Sequence, residues 1–284
     1  MREKITANTV ISCWIIFCIL IVVHGFEAIV IRTDETFWGE NFINKLFGIL
    51  VIFVVLKILQ WKWPDIGFVQ NGVVKSIGIG LALGAAAFTV AYFIEVLLLR
   101  GQGKAPGFGL FTTGFSLTGE AATHTGAGFI LLCILFNIIN VVMEEGTFRG
   151  LFHEITDTDH SFRFALLFQA LLFGVWHIVT PLHNLIDGDI DAGTFVVLSI
   201  GYIILAGMMG IKWGLLRQIT GSLYAGMADQ FFNNCIATNL LHVVTEDGID
   251  ELMIVRVLIA QVLSFVAVLI FWKKCFIAKK RDDE

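Results

Sequence analysis

Charge is scarce in this chain: Asp, Glu, Lys and Arg make up 15% of its 284 residues, against roughly 25% in an ordinary soluble domain. That scarcity argues against a soluble protein. Proline occurs three times, and there is no polar low-complexity tract, so a disordered chain is excluded too. The lysines and arginines are scattered and leave no basic footprint, so no nucleic-acid partner is expected. Five cysteines, Cys13, Cys18, Cys133, Cys235 and Cys275, stand singly without a CxxC. This spacing suits neither a zinc ribbon nor a disulfide framework. An HExxH is missing as well, which removes the usual sequence sign of a zinc peptidase.

Long apolar runs fill the space that charge leaves. The apolar fraction is 57% and the mean hydropathy is +0.82, values that fit a multi-pass membrane protein. About 20 residues cross the hydrocarbon layer as a helix. Eight segments qualify: 8–31, 40–60, 73–99, 125–154, 162–184, 192–215, 219–242 and 252–273. The seventh is weakest, because "MADQFFNNC" interrupts it. The start "MREK" with the following apolar run resembles a signal peptide, but no small-residue cleavage site follows, so an uncleaved first span is expected. With the N-terminus inside, the cytoplasmic side collects 14 of the 19 basic residues. Among them are Arg2, Lys4, Lys57, Lys62, Lys75, Arg149, Lys212, Arg217 and the tail "KKCFIAKKR". The expected fold is therefore an all-α polytopic transmembrane bundle of about eight spans with both termini cytoplasmic. Three regions are expected: 1–124 with the glycine-rich outer loop 101–126, a core over 125–240, and a last span with its basic tail over 241–284.

Ionised groups at mid-membrane cost roughly 2.5–3.5 kcal/mol on insertion scales, so those retained there often mark function. The spans carry His24, Glu27, Glu95, the group Glu144/Glu145/Arg149, His177, and Asp229/Gln230/Asn233/Asn234. Spans four and five make a hairpin turning at "TDTDHS", residues 156–161. Glu144 and His177 are equidistant from that turn and so lie at one depth on antiparallel neighbours. Gln230 and Asn234 lie at a comparable depth beyond the turn "RQITGS". Three helices thus bring polar groups to one level, expected to open from the cytoplasmic side. Glu145 and Arg149 are i,i+4 neighbours that can pair, leaving Glu144 on another face. Each feature alone has a duller reading: an interfacial ion cluster, a packed histidine, or amide glue between helices. Their coincidence at one depth favours a site.

The same residues carry a resemblance. "EEGTFRG" is similar to the EExxxR motif of the CAAX protease and bacteriocin-processing (CPBP, or Abi) family of intramembrane proteases. "FGVWH", Phe173 to His177, resembles its FxxxH motif. "GSLYAGMADQFFNN" resembles the third motif, with Gln230 where the family has histidine and Asn234 at its asparagine. The resemblance implies an intramembrane endopeptidase with a cavity open to cytosol and bilayer. Glu144 and His177 would then activate water as the catalytic pair, and Gln230 and Asn234 would donate to the oxyanion. Glu145, Arg149 and Phe173 would support them, with Arg149 also a candidate for a substrate carboxylate. It implies a membrane-associated peptide or protein substrate and a lipid-bilayer setting. Peptide processing or bacteriocin self-immunity in a bacterial cell membrane is expected, rather than cleavage of prenylated tails. Because glutamine is a poor metal ligand, no cofactor is expected. A metal-dependent version with Glu144, Glu145 and His177 as ligands is the alternative. Two other classes compete: an inactive immunity or scaffold protein, suggested by Gln230, and an ion-coupled transporter relaying protons through Glu27, Glu95 and Glu144. No internal repeat supports the transporter.

Overall fold

A computed structural model describes residues 8–36, 38–113 and 123–282. Arg2, Lys4 and the middle of the 101–126 loop lie outside the described residues, and the tail side chains beyond Cys275 are likewise not described.

The chain runs through ten α-helical segments among the described residues. They are α1 (Thr9–Phe26), α2 (Ile43–Leu59), α3 (Val73–Gly101), α4 (Ala127–Glu144), α5 (His153–Asp157), α6 (Phe162–Trp176), α7 (Val179–Asp187), α8 (Ala192–Thr220), α9 (Tyr224–Phe231) and α10 (Met253–Asp282). Three π-helical stretches interrupt this pattern: Glu27–Ile31 after α1, Glu145–Phe152 joining α4 to α5, and Phe232–Thr238 after α9. The fold is all-α with a small β cap. Each of the eight expected spans coincides with a helix or a run of joined helices. Six of these are long and apolar enough to cross a membrane. The other two are the 17-residue α2 and the broken α9 with its π stretch.

The exterior explains the composition. On α8, Val196, Val197, Ile200 and Ile204 are all more than half exposed. Such a contiguous apolar surface is unfavourable in water and matches lipid tails. Inside, small residues let backbones approach closely, as expected where lipid offers no hydrophobic drive. A Cβ on Gly80 of α3 would lie 2.1 Å from the Ala225 carbonyl oxygen of α9, so only glycine permits that crossing.

The expected hairpin is present. Asp157 ends α5, and the Ser161 hydroxyl caps α6 by accepting from the Phe164 N–H at 3.3 Å. The loop expected as an outer connection supplies strands. β1 (Gly107–Leu110) pairs antiparallel with β4 (Leu241–Val244), and β2 (Thr112–Thr113) pairs with β3 (Thr123–His124). Alternation over so few residues gives almost no sequence signal, which is why these ladders were not expected.

Two intramembrane acids find structural partners. Glu27 accepts from the Ile43 N–H at 2.8 Å and from Asn44 Nδ2 at 2.7 Å, capping α2 from the end of α1. Glu95 pairs with Arg256 at 2.8 Å, both fully buried, tying α3 to α10. Each of these acids therefore has a structural partner on another element. Lys212, expected at the cytoplasmic side, is also buried, paired with Asp229 at 2.6 Å. Lys212, Arg149 and Arg256 therefore say nothing about orientation.

Candidate active site

The helix carrying the acidic pair changes its winding at that pair. α4 is regular through Glu144, and the next eight residues are π-helical. A π stretch adds residues to a turn and re-aims side chains, and it recurs at functional sites. Here it separates the two glutamates. Glu145 pairs with Arg149 at 3.1 Å, both fully buried. The Arg149 guanidinium lies 3.8 Å from the Phe173 ring centroid and 4.7 Å from that of Trp213. Gly226 makes room for this arrangement, since a Cβ there would come within 2.6 Å of Glu145 Oε2. Arg149 is thus sealed between aromatic faces. Arg149 is fully buried and does not line the cavity described below, which sets it apart from the position expected for a group meeting a substrate carboxylate.

Glu144 faces elsewhere. Its Oε1 accepts from Trp176 Nε1 at 3.3 Å, and its Oε2 accepts from the Gln230 amide, so α4, α6 and α9 meet at one carboxylate. An ionised carboxylate only accepts, which fixes the Gln230 amide with its NH₂ toward Glu144. His24 stacks on Trp176 with centroids 4.2 Å apart, which gives that otherwise unassigned histidine a place behind the glutamate.

His177 caps the C-terminal end of α6, half-buried and directly after Trp176, whose indole donates to Glu144. Its Nδ1 lies 2.8 Å from the Phe173 carbonyl oxygen. A carbonyl accepts only, so Nδ1 carries the proton and Nε2 is left to accept. Phe173 acts twice here, through that carbonyl and through its ring 4.6 Å from the imidazole.

A cavity of about 490 Å³ adjoins this centre. His177, Asn137, Asn140, Asn234, Asn239, Glu40 and Lys45 form its polar wall. Val197, Leu205, Ile254 and Leu258, from α8 and α10, form the apolar wall. α8 and α10 are tied together lower down, where Lys212 Nζ donates to Gln261 Oε1 at 2.6 Å and to Ser264 Oγ at 3.0 Å. The cavity sits between their other ends. Its lining residues precede Glu144 on α4 and follow His177, so it occupies the half of the bundle away from the 156–161 turn. The opening was expected at the end of the bundle that holds this turn, and the cavity lies at the other end. Depth from the turn was legible in the sequence, but the direction of the opening was not.

Of the two expected oxyanion donors, only Asn234 lines the cavity. Gln230 is buried and spent on Glu144. The Asn234 side-chain Oδ1 accepts from Asn233 Nδ2 at 2.6 Å, and Asn233 Oδ1 accepts from Gln261 Nε2 at 2.9 Å. Through Gln261 this chain reaches Lys212 and Asp229, and the Asp229 carboxylate also accepts from Trp213 Nε1 at 2.7 Å. With its oxygen occupied, Asn234 has its NH₂ for a ligand.

Sequence reasoning missed Asn137 and Asn140, although both share a helix face with Glu144 at i−7 and i−4, a readable signal. It also missed Glu40 and Lys45, which come from a connecting segment and its following helix and carried none.

Glu145 pairs with Arg149, and His177, but not Glu144, lines the cavity. Among the described residues, one group has metal-ligand spacing: Glu35, His183 and Asp187, with ligand atoms within 4.8 Å. It lies at the loop end of the bundle, and Arg32 already pairs with both carboxylates.

Residues 126–236 match the family model described as "Type II CAAX prenyl endopeptidase Rce1-like". The match falls inside the expected core and contains Glu144, Glu145, Arg149, Phe173, His177, Gln230 and Asn234. No curated protein matches the chain.

Proposed function

Since residues 126–236 are of the Rce1-like family of type II CAAX prenyl endopeptidases, within the CPBP family, and this multi-pass membrane chain has the corresponding intramembrane-protease fold, we propose that it hydrolyses a peptide bond of a membrane-associated peptide. The observation that carries the reading is the meeting of three helices at the Glu144 carboxylate, one of them through Trp176, whose neighbour His177 lines a cavity.

Hydrolysis needs an activated water, a stabilised oxyanion and a proton for the leaving amine. Glu144 takes the proton of a water held between it and His177 Nε2. The water oxygen adds to the scissile carbonyl carbon. The negative charge that forms on the carbonyl oxygen is met by the Asn234 NH₂, and by Asn140 one turn before Glu144. Glu144 returns the proton to the leaving nitrogen as the C–N bond breaks, with His177 orienting the attacking water. Trp176 and Gln230 keep the carboxylate in one rotamer while this happens. The scheme runs on these side chains alone and is proposed as metal-independent.

The apolar wall from α8 and α10 suits a hydrophobic segment presented from the bilayer. Peptide processing or bacteriocin self-immunity in a bacterial membrane fits such a substrate. A second reading has one observation in its favour: a neutral amide, Gln230, where the family pattern has histidine. On that reading the chain is an inactive binding or immunity protein. Comparing peptide termini from membranes of cells with wild type and with Glu144→Gln at equal abundance separates the two. Termini dependent on wild type support the peptidase, and identical profiles support the inactive protein.

A further inference from the structure

The cysteines stand singly in the sequence, yet the fold brings two of them into contact. Cys133 Sγ on α4 lies 3.9 Å from Cys235 Sγ on the Phe232–Thr238 π stretch, and both are free and buried. Cys133 precedes Glu144 on its helix by about 16 Å of rise, and Cys235 directly follows Asn234. The pair stands behind the cavity wall. Asn137, which lines the cavity, donates through Nδ2 to the Cys133 carbonyl oxygen at 2.9 Å, and the same nitrogen lies 3.6 Å from Cys133 Sγ. On the other side Asn233, Asn234 and Thr238, all within the π stretch that holds Cys235, line the cavity too. The proposed hydrolysis uses neither thiol. Cys13 is placed differently, against the Phe152 carbonyl and the Thr156 hydroxyl, and Cys18 and Cys275 are exposed.

We propose that Cys133 and Cys235 are an oxidation site for peroxide, and that their disulfide moves the wall carrying Asn234 and stops cleavage. The loss of cleavage rests on the peptidase reading, whereas the oxidation and the movement do not. Hydrogen peroxide, little larger than water, is the oxidant that suits a buried pair. The Cys133 thiolate, its charge met by the Asn137 amide, attacks one peroxide oxygen. The O–O bond breaks, hydroxide leaves and takes up the Cys133 proton as water, and Cys133 becomes a sulfenic acid. The Cys235 sulfur then attacks the sulfenic sulfur. The S–O bond breaks, and the departing hydroxide takes the Cys235 proton as a second water. Two thiols and one peroxide thus give one disulfide and two waters. An S–S bond is about 2.05 Å long, so the two sulfurs must close nearly half of their present separation. α4 is a regular helix up to Glu144, whereas the π stretch is wound wider and has slack to tighten. The movement therefore falls on the π stretch and takes Asn234 with it. A misplacement of about 1 Å is enough to cost about 10²-fold in rate.

The test titrates hydrogen peroxide into the full-length protein in phosphatidylcholine nanodiscs. Remaining thiols are alkylated after unfolding, and non-reducing digests are mapped by mass spectrometry. The Cys133–Cys235 cross-link is expected in most molecules at peroxide levels that leave Cys13 a thiol, and dithiothreitol should reverse it. Backbone hydrogen exchange across residues 232–238 should shift by about fivefold on oxidation. Cleavage of an apolar peptide should fall by about tenfold or more and recover with dithiothreitol. Cys133→Ala should keep its cleavage and its exchange in peroxide, and Cys133→Ser gives the same control where the alanine variant fails to fold. No cross-link in the folded protein, or a cross-link that leaves exchange unchanged, overturns the proposal. So does a cross-linked protein that cleaves as fast as the reduced one, or equal inhibition of Cys133→Ala. A reduced protein that cuts nothing, yet gives the cross-link and the exchange shift, would refute the peptidase and leave the oxidisable, movable wall standing.

Discussion

The Gln230 side-chain amide donates to the Glu144 carboxylate, joining α9 to α4 at the mid-depth of the bundle. With Trp176 on the other oxygen at 3.3 Å, the glutamate has a donor on each side and one orientation. Removing the donor through Gln230→Ala should lower kcat by about 10²-fold with KM little changed, an effect of the size expected for a disturbed general base. Gln230→Glu should be worse, since two adjacent carboxylates cannot both ionise. Steady-state kinetics on a cleaved peptide checks the order wild type, Gln230→Ala, Gln230→Glu.

Asn234 is held by a chain of buried amides, and its loss should resemble the loss of an oxyanion donor. Asn234→Ala is expected to cost about 10²–10³ in kcat, or about 2.7–4 kcal/mol. Gln261→Leu touches no substrate but releases Asn233 and with it Asn234. It should lower kcat in the same direction by a smaller factor, with KM held. A change in KM alone would show that Asn234 binds the substrate without acting on the oxyanion.

The buried Glu145–Arg149 pair makes a prediction about stability instead. Breaking a buried pair by removing one partner costs about 3–5 kcal/mol, whereas replacing both by apolar groups of similar volume can be neutral. Arg149→Met should therefore lower the thermal unfolding midpoint in detergent markedly. Glu145→Leu combined with Arg149→Met should recover much of that loss. Separate, additive losses would contradict a coupled pair.

Asp250 clamps the β cap to α10. It accepts from the Val243 N–H at 2.9 Å, from Arg256 at 2.9 Å, and contacts His242 Nδ1 at 2.6 Å. Burial favours the neutral acid, but His242 and Arg256 outweigh it and hold the carboxyl below the usual carboxylate range. A depressed folded-state pKa gives stability that is present above the unfolded value, near pH 4, and lost as pH falls through the folded one. Unfolding profiles should thus show an acid-side loss of stability, diminished in Asp250→Asn, which should also be less stable at neutral pH.

The sequence revealed the depth of the site better than its surroundings. Two-fold bookkeeping about the 156–161 turn placed Glu144 opposite His177, because helical rise is uniform enough to survive without coordinates. The i,i+4 spacing likewise gave the Glu145–Arg149 pair. Spacing could not show that a π stretch begins at Glu145, and with it that Arg149 turns into an aromatic sandwich. Nor could it show that Gln230 spends its amide on Glu144. Both depend on tertiary contacts between distant helices. Glu40 and Lys45 were illegible for another reason: they reach the cavity from a segment near a helix start, where no period applies. The roles of Glu27 and Glu95 were open in the sequence for the same reason, since their partners, the start of α2 and Arg256, are known only once the helices pack.

The central claim is that Glu144 activates water for peptide hydrolysis, and one comparison tests it most directly. Purified wild type and Glu144→Gln, matched for folding by thermal unfolding in nanodiscs, are incubated with a library of apolar membrane peptides. New termini are then identified by mass spectrometry in water enriched in ¹⁸O. The account predicts wild-type-dependent cleavage with one ¹⁸O in each new carboxylate and a loss of about 10²–10⁴-fold in rate for Glu144→Gln. Undiminished cleavage by Glu144→Gln, or none by the wild type across the library, would contradict it.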